Sequence, residues 1–140
     1  MSAWRFLDYY IAGEPPVNVT GEWYKAQEPI VRAAFDATIR TLEGSEDWSE
    51  MEEFKYFDTG PFAGLGELRF NLEPTKANKL STKRHFRIPG IWKPEEKIFI
   101  LLGGCEKSGR IKIPQDTFEQ AMKMKNDFEL YGRGKIDDHK

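Results

Sequence analysis

The chain has 140 residues, 39% hydrophobic and 31% charged, with a formal net charge of −2. That length suits one core and is too short for two substantial domains, and the composition excludes a largely disordered chain. No run of eighteen uncharged apolar residues occurs and no long apolar stretch follows Met1, so export and membrane insertion lack a signal and a cytoplasmic location is expected.

Cys105 is the sole cysteine, and His85 and His139 are the only histidines. No internal disulfide and no zinc-ligand spacing can be written, so neither a metal nor a cofactor is expected.

Taken in chain order, the aromatic-rich residues 4–11 predict an opening strand, closed by Gly13-Glu14-Pro15-Pro16. From about Glu22 a helical pattern follows. Val31, Phe35, Thr38 and Leu42 recur at helical spacing, Ala34 and Ile39 widen the stripe, and Pro29 marks a first turn or a boundary between two helices. Gly44 ends the segment. Phe54-Lys55-Tyr56-Phe57 is short and aromatic, and the glycines of residues 60–66 exclude a helix after it.

Residues 67–72 alternate polar and apolar, which predicts a half-buried antiparallel strand with Leu68, Phe70 and Leu72 inward and Arg69 facing away from the core. A second strand near His85-Phe86-Arg87-Ile88 places Phe86 and Ile88 on one face and Arg87, with His85, on the exposed one. Residues 97–102, a lysine followed by an unbroken apolar run, are best read as a central strand. Gly103-Gly104 breaks it, without the spacing of a phosphate loop. The lone Cys105 after this strand reads as a buried core thiol.

Asp116 as N-cap with Glu119 three residues on opens the last helix, with Ala121, Met124, Phe128 and Tyr131 as its apolar stripe and Gly132 as its stop. Residues 1–132 are thus expected as one domain, and residues 133–140 as a charged, frayed tail.

Charge is segregated along the chain. Residues 1–60 carry five Lys/Arg against twelve Asp/Glu, whereas residues 61–112 carry eleven against five. If folding keeps the middle segment on one face, it presents a basic surface to phosphate.

Three pieces in order form a larger pattern: Gly66-Glu67-Leu68-Arg69, then Phe86-Arg87-Ile88, then Ile100-Leu101-Leu102 leading through Glu106-Lys107 and Ile113-Pro114 to Phe118-Glu119-Gln120-Ala121. Over residues 60–130 this resembles the RelE/HigB toxin superfamily, in particular its phage-derived HigB-like branch. The resemblance implies a RelE/ParE-like α+β fold: an N-terminal strand and helices packed on an antiparallel sheet, with a C-terminal helix. It also implies a concave basic face that binds mRNA in the ribosomal decoding site and cleaves it without a metal.

The expected partners are a helix-turn-helix antitoxin, the ribosome and mRNA, with no membrane and no DNA bound on its own. Cleavage by attack of a 2′-hydroxyl on the adjacent phosphate needs a proton acceptor and cations that stabilise the phosphorane-like charge. Arg87 matches the arginine that contacts the scissile phosphate; Arg69 and Lys107 are the neighbouring cations, and His85 is the histidine placed for proton transfer. Lys76, Lys79, Lys83, Arg84, Arg110 and Lys112 supply the surrounding RNA-binding field.

Gly103, Gly104, Cys105 and Ser108 stand where the branch carries His-Gly-Phe and a second basic residue. The alternative is therefore a toxin-fold protein without catalysis that serves as a protein- or RNA-binding module.

Overall fold

The computed structural model describes residues 3–74 and 82–139. Its first strand, β1 (Arg5–Ile11), pairs antiparallel with the two-residue β2 (Val17–Asn18), which runs directly into α1 (Val19–Lys25). Asn18 caps that helix, its side-chain oxygen accepting from the Gly21 N–H at 2.9 Å. In α2 (Pro29–Glu43), Pro29 occupies the first turn, where its missing N–H costs nothing. The predicted stripe is the buried one: Val31, Phe35, Thr38, Ile39 and Leu42 all face inward.

The loop after α2 closes one end of this layer. Trp48 stacks on Trp4 with ring centroids 4.0 Å apart and donates its indole N–H to the Leu42 carbonyl at 2.9 Å, so a large buried ring leaves no polar atom unpaired.

The middle of the chain is strand-rich: β3 (Phe54–Tyr56), β4 (Gly66–Leu72), β5 (Arg84–Lys93) and β6 (Ile98–Leu101), followed by β7 (Cys105–Ser108) and β8 (Ile111–Ile113). The sheet order is β2-β1-β6-β5-β4-β3, with β7 beside β5 and β8 beside β7. As the apolar run predicts, β6 is central.

The sheet is not wholly antiparallel. β1 and β6 are parallel, setting Phe6 against Phe99 and Leu7 against Ile100. A parallel pair needs a long crossover, and α1 and α2 lie within the one that joins these two strands.

After the strands, α3 (Thr117–Tyr131) ends at Gly132, whose φ of 62° is the left-handed conformation expected of a helix stop. Asp116 stands at the N-cap position, but its side chain makes no capping bond. The apolar stripe also ends sooner than expected, because Tyr131 is exposed with the Arg133 guanidinium over its ring.

Residues 135–139 of the charged tail are ordered. β9 (Lys135–Asp138) pairs antiparallel with β1, and His139 follows with Nδ1 2.9 Å from an Asp8 carboxylate oxygen. All four β9 side chains are exposed, so backbone bonding rather than apolar burial holds this strand.

The sheet is covered on both faces. Phe35, Leu42 and Trp48 pack with Leu68, Phe70, Phe86, Ile88 and Phe99 on the α2 side. Phe118, Ala121 and Met124 of α3 pack with Leu7, Ile91, Ile100 and Cys105 on the other, where Leu65, Phe57 and Phe62 join them. Each fully buried ring contributes about 2 to 3 kcal/mol of transfer free energy. The arrangement is thus α+β, helices flanking a mixed sheet. Among the described residues, no helix is long and apolar enough to cross a membrane.

Candidate nucleic-acid interface

Alternation along β4 and β5 decides which charges meet. Their register sets Arg69 opposite Arg87 and Asn71 opposite His85, all on the face that α3 covers farther along. On its other edge β5 pairs with β7, bringing Lys107 beside His85 and Cys105 beside Arg87, and β8 then places Lys112 beside Lys107. Four strands therefore gather Arg69, Arg87, His85, Lys107 and Lys112 on a single surface. Lys112 also lies over the rings of Phe62 and Phe118, 5.4 and 4.8 Å from their centroids.

The surface is less open than alternation alone suggests. Arg87 was expected to be exposed, yet only 11% of its side chain is, because Glu67 and Cys105 flank it and the adjoining face is covered by residues 57–65 and α3. Its Nη1 donates to the Phe86 carbonyl at 2.8 Å. Arg69 keeps 35% of its side chain exposed. Between them stands Glu67, with 6% of its side chain exposed, Oε2 3.1 Å from Arg69 Nε and Oε1 3.9 Å from Arg87 Nε.

Burial pushes the Glu67 carboxyl above its ordinary range, an effect opposed by the nearby charges of Arg69, Arg87, Lys55 and Lys107. Burial likewise lowers the Arg87 pKa, with Glu67 opposing. The guanidinium still keeps its proton, since arginine does not deprotonate in proteins.

His85 shares this surface. Its Nδ1 lies 2.8 Å from the Asn71 Oδ1. An Nδ1–H donating to that oxygen leaves Nε2 with the free lone pair, the form suited to taking a proton.

Several predicted residues lie elsewhere. Arg84 projects from the opposite face of β5, where its guanidinium donates to both Glu106 oxygens at 2.7 and 2.8 Å and to Glu28 at 3.0 Å. Those bonds hold its pKa above the ordinary value. The physical reason is parity: Arg84 and His85 are consecutive in β5, so their side chains take opposite faces. Lys83 pairs with Glu73 at 3.0 Å. Arg110 is exposed in the turn between β7 and β8. Lys76 and Lys79 lie outside the described residues. The basic middle segment is thus divided between two faces rather than kept on one.

Glu67 and Asn71 belong to the site but were not singled out in the sequence. The signal was present, since both share parity with Arg69 in an alternating strand. A further feature had no such signal: a groove of about 560 Å³ between α1 and the start of α3, floored by Leu102, Gly103 and Gly104 and edged by Trp23 and Pro114. Thr20 fixes that floor, its hydroxyl accepting from the Gly103 N–H at 2.9 Å and donating to the Gly103 carbonyl at 3.0 Å. Among the described residues, no group of three or more His, Cys, Asp or Glu is placed to hold a metal ion.

No family model, no curated protein and no solved structure matches the chain.

Proposed function

We propose that this protein is a toxin of the RelE/HigB type, with a RelE/ParE-like fold, that cleaves mRNA on the ribosome and is held inactive by a helix-turn-helix antitoxin. The observation that carries the reading is the juxtaposition of Arg69 and Arg87 as direct cross-strand partners, with His85 two residues from Arg87 on the same face and Lys107 beside His85. The residue types suit the reaction. His85 Nε2 takes the proton from a 2′-hydroxyl as that oxygen bonds to the adjacent phosphorus, the phosphorus–5′-oxygen bond breaks and the leaving oxygen takes a proton from water, while the guanidinium of Arg87, assisted by Arg69 and Lys107, stabilises charge on the phosphate.

The test is induced expression in a sensitive host. Wild-type protein arrests growth and produces mRNA ends that map to translated codons, while Arg87→Ala relieves the arrest. A wild-type protein that leaves growth and mRNA intact sinks the reading.

A second reading, a toxin-fold protein without catalysis that binds protein or RNA, is favoured by two observations. The Arg87 guanidinium is largely buried and engaged with its own chain, and the groove beside α1 is apolar with Glu22, Glu106 and Asp116 on its rim. Such a module copurifies with a partner and causes no arrest.

A further inference from the structure

Glu67 takes no part in the chemistry above, yet it stands at the centre of the cationic cluster. Its two oxygens face two arginines without satisfying either. The 3.1 Å approach to Arg69 Nε and the 3.9 Å approach to Arg87 Nε are ion pairs without a hydrogen bond, and both Nε atoms are buried with no acceptor. Buried N–H groups in folded proteins nearly always find a partner, so two orphans aimed at one small volume mark a place built for a better acceptor. A phosphate is that acceptor: its oxygens are tetrahedrally disposed, and guanidinium forks bind them in pairs.

The neighbours of Glu67 give its side chain somewhere to go. The backbone is fixed by ladders on both sides, with Lys55 opposite on β3 and Pro89 opposite on β5. Lys55 is exposed, and its charge already acts on the Glu67 carboxyl. Rotation of one side chain toward Lys55 vacates the arginine pair without moving a strand. Burial that already disfavours the ionised carboxyl makes it a poor permanent occupant.

We infer that Arg69 and Arg87 form a subsite for a single phosphate group and that Glu67 is its resident competitor, an autoinhibitory carboxylate that an incoming phosphate displaces toward Lys55. The identity of that phosphate as part of an RNA chain rests on the toxin reading; the subsite itself does not.

The experiment titrates the full-length protein with inorganic phosphate. Glu67→Gln, which keeps the side-chain shape and removes the competing charge, binds phosphate at least about tenfold more tightly than wild type, a difference typical of a single close charge. Adding Arg87→Lys to that variant abolishes the gain. A folded Glu67→Gln protein that binds phosphate no better than wild type overturns the inference.

If Glu67→Gln does not fold, the wild-type protein decides. Its Arg69 and Arg87 Nε–H resonances shift together as phosphate saturates, and resonances that stay in place overturn the proposal. RNA cleavage by the same proteins separates the two claims. Tighter phosphate binding with no cleavage by any variant sinks the toxin reading and leaves the subsite. Cleavage with no effect of Glu67→Gln on phosphate binding leaves the toxin reading standing and overturns the role of Glu67 as resident competitor.

Discussion

Cys105 lies next to Arg87 on the neighbouring strand and is fully buried, its S–H donating to the Arg87 carbonyl at 3.6 Å. Burial pushes the thiol up to about 11, so at pH 8 it holds on the order of a hundredfold less thiolate than a free cysteine of pKa about 8.5. Alkylation of the native protein at pH 8 is therefore expected to be at least a hundredfold slower than in denaturant, measured as loss of free thiol with time; equal rates would show an accessible nucleophile. The sign of the linkage follows. A folded pKa above the unfolded one means that the protonated thiol's contribution to stability is complete below about pH 8.5 and is lost as pH rises through 11. At this scale the sequence was informative about identity and parity, less so about environment. Alternation placed Arg69, Arg87 and His85 together on one face, and the same rule applied one residue earlier separates Arg84 from them. What alternation does not encode is how deeply the polar face is covered, because residues 57–65 and α3, which cover it, lie before and after the strands in the chain.

At the level of elements, periodicity and punctuation marked α2, β4, β6 and α3, whose apolar faces meet a core. It failed at β9, which buries no side chain and so has no pattern to show. The antiparallel sheet implied by family resemblance likewise failed at β1 and β6, whose direction depends on the connection between them. β9 nevertheless contributes to stability. Ending the chain after Gly134 removes the ladder to residues 7–10 of β1 and the His139 contact with buried Asp8, which retains Asn18 as a donor at 3.0 Å. At about 1 kcal/mol per backbone hydrogen bond, the loss should be roughly 2 to 4 kcal/mol. Urea unfolding measures it, and faster amide exchange confined to residues 7–10 shows where it arises. A truncated protein as stable as the full chain would mean that β9 merely rests on the sheet.

Across the whole molecule, two cores share one sheet. All four tryptophans report on the same side: Trp4 and Trp48 lie within the α2 core, and Trp23 and Trp92 pack against it. Indole fluorescence therefore follows that layer, while far-UV circular dichroism also follows α3 and β9. Since β5 and β6 contribute residues to both cores, neither layer keeps its floor once the other is lost. The two probes should give coincident denaturant transitions, as for a two-state domain, and a dichroism change that precedes the fluorescence change would show α3 leaving on its own. The pairing of β1 with β6 also sets a clock on biosynthesis. Arg5 meets Ile98 and Leu7 meets Asp138, so at about 5 to 20 residues per second the first strand waits roughly 5 to 20 seconds for its parallel neighbour and longer for β9. Throughout that interval Phe6, Leu7 and Tyr9 stand on an uncapped edge, the period in which a nascent chain is most open to pairing with another copy or to a chaperone.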